Sequence, residues 1–276
     1  MNEQLNLFEN GEFTFGINLM NELKWGKGLM FLEKAKPIAE EDKLFLKKAK
    51  EIGGYWQTKF SVFEQSENAQ EAFKELLHSY KKYDFPKRLN AAKQNLLLYM
   101  LAWIMDRDCF DNDTSVQIFT LLIAEKKYDQ AEKLMKARLK KHPTAFKDYY
   151  LLAQAEWLNG HSVYSKEHYL QAFLYCPDRS MLQYVAYKEF KKLAEEYPLE
   201  KIPAYAWLHG KSRFVSIEEA LFSPFNGKHD NAYQAYKLLK KCHVFIKDRK
   251  KRLYYRKKLQ KIAPELLQDY LNKKVR

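Results

Sequence analysis

The chain has 276 residues, 46% hydrophobic and 15% aromatic, which is enough for a sizeable buried core and too apolar for a disordered chain. With 9 Gly and 8 Pro it lacks the punctuation that an all-β sandwich or barrel requires every ~8 to 12 residues, so an all-α fold is expected. The net charge of +13 is uneven, because between Lys237 and Lys261 twelve Lys or Arg face one acid, Asp248, and supply +11 of it.

Met1 to Phe13 carries Glu3, Glu9 and Glu12 and has no basic start followed by an apolar run, so no secretory or transit signal is expected. The first helical stripe is Ile17, Met20 and Leu23, weakened by Gly26 and Gly28 and limited by Pro37. A second stripe, Leu44, Phe45, Ala49 and Ile52, meets Gly53 and Gly54, which predicts a helix end there. From Asn68 to Tyr83 the residues Ala72, Phe73, Leu76, Leu77 and Tyr80 recur at helical steps, and Pro86 closes the element. Leu89 to Met105 is apolar nearly all round and should be a central helix. Its longest apolar run, Leu96 to Met105, is about half of what a bilayer crossing requires, so the expectation is a cytoplasmic protein with no transmembrane segment.

Residues 112–145 and 146–179 superpose at a shift of 34, pairing Ile118 with Leu152, Met135 with Tyr169, Leu139 with Phe173 and Pro143 with Pro177. Each span repeats a small residue, a large one four later and a proline eight further on: Ala131, Met135, Pro143, then Ser165, Tyr169, Pro177. The small residue admits close backbone approach, the large one fills the gap, and proline stops the helix. Ala172 supplies a further small packing residue and Gly160 a turn. On these residues the span 112–179 resembles the tetratricopeptide-repeat family, departing from its pattern at Phe119, Lys126 and Arg138. The resemblance implies antiparallel helix pairs stacked in a right-handed superhelix, with one irregular pair before it at 68–105.

Downstream, Ser180 and Gln183 form a capping-box pattern predicting a helix to about Glu196, before Pro198 and Pro203. A second capping box, Ser216 and Glu219, predicts a short helix. From Lys228 to Pro264 no Gly or Pro intervenes, which predicts one long helix or a pair broken near Asp248, and Pro264 to Asn272 a final helix. Three regions are therefore expected: irregular helices over 1–66, a repeat core over 67–203, and a C-terminal helical region over 204–276 that carries the basic helix.

Signatures of catalysis are sparse. The motifs G-x-S-x-G, H-E-x-x-H, G-x-x-x-x-G-K and G-x-G-x-x-G do not occur, and Gly26-Lys27-Gly28 follows no strand. Asp106, Asp108, Asp111 and Asp113 mimic a calcium loop without its turn glycine or distal Glu, and fit helix capping better. Cys109, Cys176 and Cys242 form no C-x-x-C pair and are expected as buried small hydrophobes. His161 and His168 lack a third ligand, and an enzyme would need a dispersed set such as Glu156, His161 and His209. No catalytic residue, metal or cofactor is expected.

Two binding surfaces are expected instead. The family resemblance implies a concave groove lined by the first helix of each pair, placing Asp113, Val116, Thr120, Lys147, Tyr150, Gln154 and Trp157 against a protein or peptide partner. Continued register adds Tyr184, Lys188 and Lys191. The alternative surface is the C-terminal basic segment, where Lys240, Lys241, Lys247, Arg249, Lys250, Lys251, Arg252, Arg256, Lys257 and Lys258 surround Tyr254 and Tyr255. The apolar stripe Ala235, Leu238, Leu239, Cys242, Phe245 and Ile246 faces away from most of that charge. Such a segment suits nucleic acid or another polyanion, although its preference for Lys over Arg weakens base reading.

Overall fold

The computed structural model describes residues 2–36, 39–107, 112–215 and 228–274, and every regular element among them is helical. No helix of the described residues is long and apolar enough to cross a membrane. The chain forms two compact units, Met1–Leu121 and Leu122–Arg276.

The first unit holds α1 (Asn2–Asn21), α2 (Trp25–Lys34), α3 (Glu40–Gln65), α4 (Ala69–Lys82), α5 (Asn90–Arg107) and most of α6 (Asn112–Ala124). The helix end expected at Gly53 and Gly54 does not occur, since α3 runs on to Gln65. Gly53 is a contact point: a Cβ there would stand 2.7 Å from Leu29 Cδ2. Gly28 similarly lets α2 approach α1, where a Cβ would come within 2.6 Å of Met20 Cγ. Two of the glycines that weaken the helical pattern in sequence, Gly28 and Gly53, are therefore points of contact among α1, α2 and α3, whereas a Cβ on Gly54 would meet no neighbour within 4 Å. Around them Trp25, Trp56, Phe63 and Phe73 are buried, and Phe73 stacks on Trp103 at 4.5 Å. Asn68 caps α4 by accepting from Glu71 N. Leu96, Leu97, Met100 and Ile104 make α5 central, as its all-round apolar pattern predicts. The limit expected at 66/67 is crossed by packing of Phe63 on Phe73.

The second unit begins with the end of α6 and continues through α7 (Tyr128–Lys141), α8 (Asp148–Leu158) and α9 (Ser162–Tyr175). After α6, Lys127 N donates to Leu122 O, and after α8, His161 N donates to Glu156 O, each at 2.8 Å. These are the same turn translated by 34 residues, with positive φ at Lys126 (57°) and at Gly160 (87°). Only glycine adopts that conformation without steric cost, so Lys126 holds it under strain. The ends of α7 and α9 match as well, His142 N and Cys176 N donating at 2.8 Å to Arg138 O and Ala172 O ahead of Pro143 and Pro177. Arg138, the departure from the small-residue pattern, is buried in an ion pair with Asp148. Burial raises the Asp148 carboxyl pKa, and the guanidinium opposes that rise.

The helix expected over 180–196 is broken. A 3-10 turn spans Arg179–Tyr184, Asp178 rather than Ser180 provides its cap by accepting from Ser180 N, and α10 begins only at Lys188 and ends at Glu196. Tyr169 causes the break: its buried hydroxyl donates to Tyr184 O at 2.8 Å and accepts from Ala186 N at 2.9 Å, taking backbone groups that a continuous helix would pair internally. Pro203 begins a helix rather than breaking one, lying in the first turn of α11 (Ile202–Leu208). The capping box at Ser216 and Glu219 lies outside the described residues, as do Pro37, Asp108, Cys109 and Asp111.

The break near Asp248 separates α12 (Lys228–Val244) from α13 (Arg249–Ile262), with Asp248 accepting from Lys251 N. The closing element is α14 (Pro264–Lys274). Helix α13 ends as α7 and α9 do, Ala263 N donating to Leu259 O at 2.8 Å just before Pro264. Helices α11 and α12 pack together, so the limit expected at 203/204 also falls inside a unit.

Candidate interaction surfaces

The residues expected to line one groove meet different fates. Tyr150 is 0% exposed and packs edge-on against Phe173, and its hydroxyl donates to Cys176 O at 2.9 Å. It is a core residue and leaves the candidate surface, because the family pattern that placed it in the groove does not foresee that Phe173 of α9 covers it. Lys147 is exposed and paired with Asp178 at 2.8 Å. Gln154 and Tyr184 are half-buried, and Lys188 and Lys191 are exposed on α10. Asp113 and Thr120 are exposed and Val116 half-buried in the first unit, where the Thr120 hydroxyl donates to Val116 O.

Trp157 is half-exposed and lies against Tyr187, with ring centroids 5.0 Å apart. Lys166 Nζ sits over the other partner of this pair, 4.4 Å from the Tyr187 centroid, and Phe190 supports Tyr187 from the core side at 4.7 Å. Tyr187 and Lys166 were missed by sequence reasoning, since helical register led through Tyr184 to Lys188 and the break at 185–187 moves Tyr187 into position. The result is an aromatic step bordered by ammonium groups, a combination that suits an extended peptide bearing acidic and apolar side chains.

Below this surface α7, α8 and α9 share a polar network. Glu156 is 1% exposed, with Oε2 2.6 Å from His168 Nδ1, and Glu132 Oε2 lies 3.0 Å from His161 Nδ1. Lys136 donates to Glu132 at 2.6 Å, and Asn159 donates to the same carboxylate at 2.9 Å. Burial raises the Glu132 pKa, but bonds from Lys136, Asn159 and His161 outweigh it and hold the carboxyl below its ordinary value. The dispersed set Glu156, His161 and His209 is not assembled, for His209 faces Tyr197 instead at 3.4 Å. Every strong acceptor here is already engaged within the protein. Among the described residues no group of His, Cys, Asp or Glu is arranged to hold a metal ion.

Cys242 is buried as expected, whereas Cys176 is half-buried and its thiol pKa is raised by burial, which disfavours the thiolate. A cavity of about 460 Å³ is lined by Pro198, Ala204, Ala235 and Leu266, together with Lys201 and Glu265, which pair with each other at 4.0 Å.

The basic segment is arranged differently. In α13 only Leu259 is buried, while Arg249, Lys250, Lys251, Lys257, Lys258 and Lys261 are exposed. Lys251 pairs with Asp248 at 3.7 Å, but Lys247, Arg249, Lys250, Lys257 and Lys261 form no ion pair among the described residues. Lys240 donates to Val215 O at 3.1 Å and Lys241 lies over the Tyr255 ring, so these two serve the fold. Arg252 donates to Ile246 O at 2.7 Å and Arg256 covers the Tyr270 ring, so they too point inward. Four cations, Arg249 to Arg252, occupy the first turn of α13 and no acid does, which opposes the favoured pairing with the helix dipole.

No protein-family profile, curated protein or solved structure matches this chain.

Proposed function

We propose that this protein is a non-enzymatic adaptor built on tetratricopeptide-like helix pairs, which holds a protein or peptide partner on the surface formed by Trp157, Tyr187, Lys166, Lys188 and Lys191. The observation that carries the reading is the 34-residue translation of backbone detail: the positive-φ turn at Lys126 and Gly160 and the proline-closed ends at His142 and Cys176. Ala131 and Ser165, the small residues of the pattern, are both 0% exposed, as close helix approach requires. Among the described residues the carboxylates of the polar network are engaged by Lys136, His161 and His168, which supports holding over chemistry.

The test is affinity capture with mass spectrometry, with and without nuclease, comparing the wild type with a Trp157→Ala/Tyr187→Ala variant. A nuclease-resistant partner lost from the variant, at unchanged helicity, is the expected result. Identical capture by the two proteins would remove this surface from the function.

A second reading is favoured by α13 alone: eight Lys or Arg in fourteen residues with no acid suit contact with a polyanion, nucleic acid included. Retention on heparin that weakens steeply with salt is expected, and elution below physiological ionic strength would remove the reading.

A further inference from the structure

The tip of the α12–α13 hairpin joins two features that seldom share a surface. Val244 is 62% exposed and Ile246 38%, and one turn into α13 Leu253 and Tyr254 are 45% and 53% exposed. Around them stand Lys247, Arg249 and Lys250 at the turn, with Lys257 and Lys261 further along α13, all exposed and without ion pairs among the described residues. Phe245 between the two aliphatics stacks on Tyr255 at 5.5 Å and anchors the turn to the helix.

Resting on the polyanion reading of α13, we propose that this tip seats on an anionic lipid bilayer. Val244 and Ile246 enter the boundary between headgroups and acyl chains, Tyr254 lies at headgroup depth, and the surrounding lysines neutralise lipid phosphates and carboxylates.

Three observations favour lipid over the other polyanions. Exposed aliphatic side chains gain nothing from phosphodiester backbone, whereas a bilayer removes them from water. Arg252 and Arg256, two of the three arginines available for bidentate base reading, are turned inward onto Ile246 O and the Tyr270 ring, leaving mainly lysine point charges that suit a diffuse anionic surface. Finally, the aliphatics sit on a turn, where a rigid protein partner would need a fitted socket and a deformable bilayer needs none.

The experiment is flotation of the full chain with phosphatidylcholine vesicles, with or without about 30 mol% phosphatidylserine. Binding of a fluorescent single-stranded RNA is measured in parallel. The wild type is expected to float with the serine-lipid vesicles only. Val244→Ser/Ile246→Ser keeps every charge and should weaken vesicle binding about tenfold while RNA binding is unchanged. Lys250→Glu/Lys257→Glu, on the solvent face, should abolish flotation, with circular dichroism confirming helicity for both variants. RNA binding without flotation would overturn the lipid assignment and leave the polyanion reading standing, and loss of both would overturn both. Undiminished flotation of the serine variant would overturn the insertion of the tip.

Discussion

The hairpins α8–α9 and α12–α13 end in the same way and present opposite surfaces. Both second helices stop at a residue whose N–H reaches back four positions, with proline immediately after, at Cys176–Pro177 and Ala263–Pro264. Yet α9 buries Ser165, Tyr169, Leu170, Ala172, Phe173, Leu174 and Tyr175, whereas α13 buries Leu259 alone. Leu259 occupies the place of Ala172, five residues before the closing proline. At the pattern's small and large positions α13 has Arg252 and Arg256, whose stems pack inward while their charged ends find a carbonyl and a ring. One backbone scheme thus supports a helix committed to the core and another with most of its side chains exposed to solvent.

The comparison can be broken most forcefully at Tyr169. Tyr169→Ala should cost about 3–5 kcal/mol in equilibrium denaturation, because it opens a cavity and strands the backbone groups of Tyr184 and Ala186. A loss under about 1 kcal/mol would mean that the break at 185–187 does not depend on that hydroxyl. Leu259→Ala should follow at about 2–5 kcal/mol, whereas Lys257→Ala on the same helix should stay within about 0.5 kcal/mol. Equal effects would erase the distinction between buried stripe and free face.

The paired turns sharpen the comparison further. Gly160→Ala should cost about 1–2 kcal/mol by forcing a Cβ into positive φ, and Lys126→Gly should stabilise by roughly 1 kcal/mol for the reverse reason. Thermal unfolding of the two variants should therefore shift in opposite directions.

A smaller, pH-dependent effect belongs to Asp178, whose carboxyl is held at about 2 against an ordinary 3.8, chiefly by hydrogen bonds from Lys147 and Ser180. A depressed carboxylate pKa stabilises the fold above the unfolded value, and that contribution is lost as pH falls through the folded one. Because the pair is solvent-screened, Asp178→Asn should cost roughly 0.2–1 kcal/mol at neutral pH, and the difference should vanish between pH ~4 and ~2. A difference that persists at pH ~2 would assign the effect to packing rather than charge.

Several elements were legible because their causes are local. The helix start at Asn68, the helix break at Asp248 and the proline stops depend on groups within four residues of one another. The interaction surfaces were legible only in part: the charge of α13 is plain in sequence, but Tyr150 turned out to be core and Tyr187 took the place beside Trp157. Helical spacing distinguishes faces of one helix without saying which neighbour covers them.

The order of apolar and breaking residues by itself determined an all-helical chain, a 34-residue recurrence in its middle and a concentrated positive charge near its end, since short-range sterics and side-chain period suffice for these. Tertiary structure alone decided that α3 passes through Gly53 and Gly54, that Tyr169 interrupts the helix after Asp178, and that Lys126 adopts a glycine's conformation. In the first two cases a contact made farther along the chain outweighed a local preference of about 1 kcal/mol, which is small beside the burial that the contact secures.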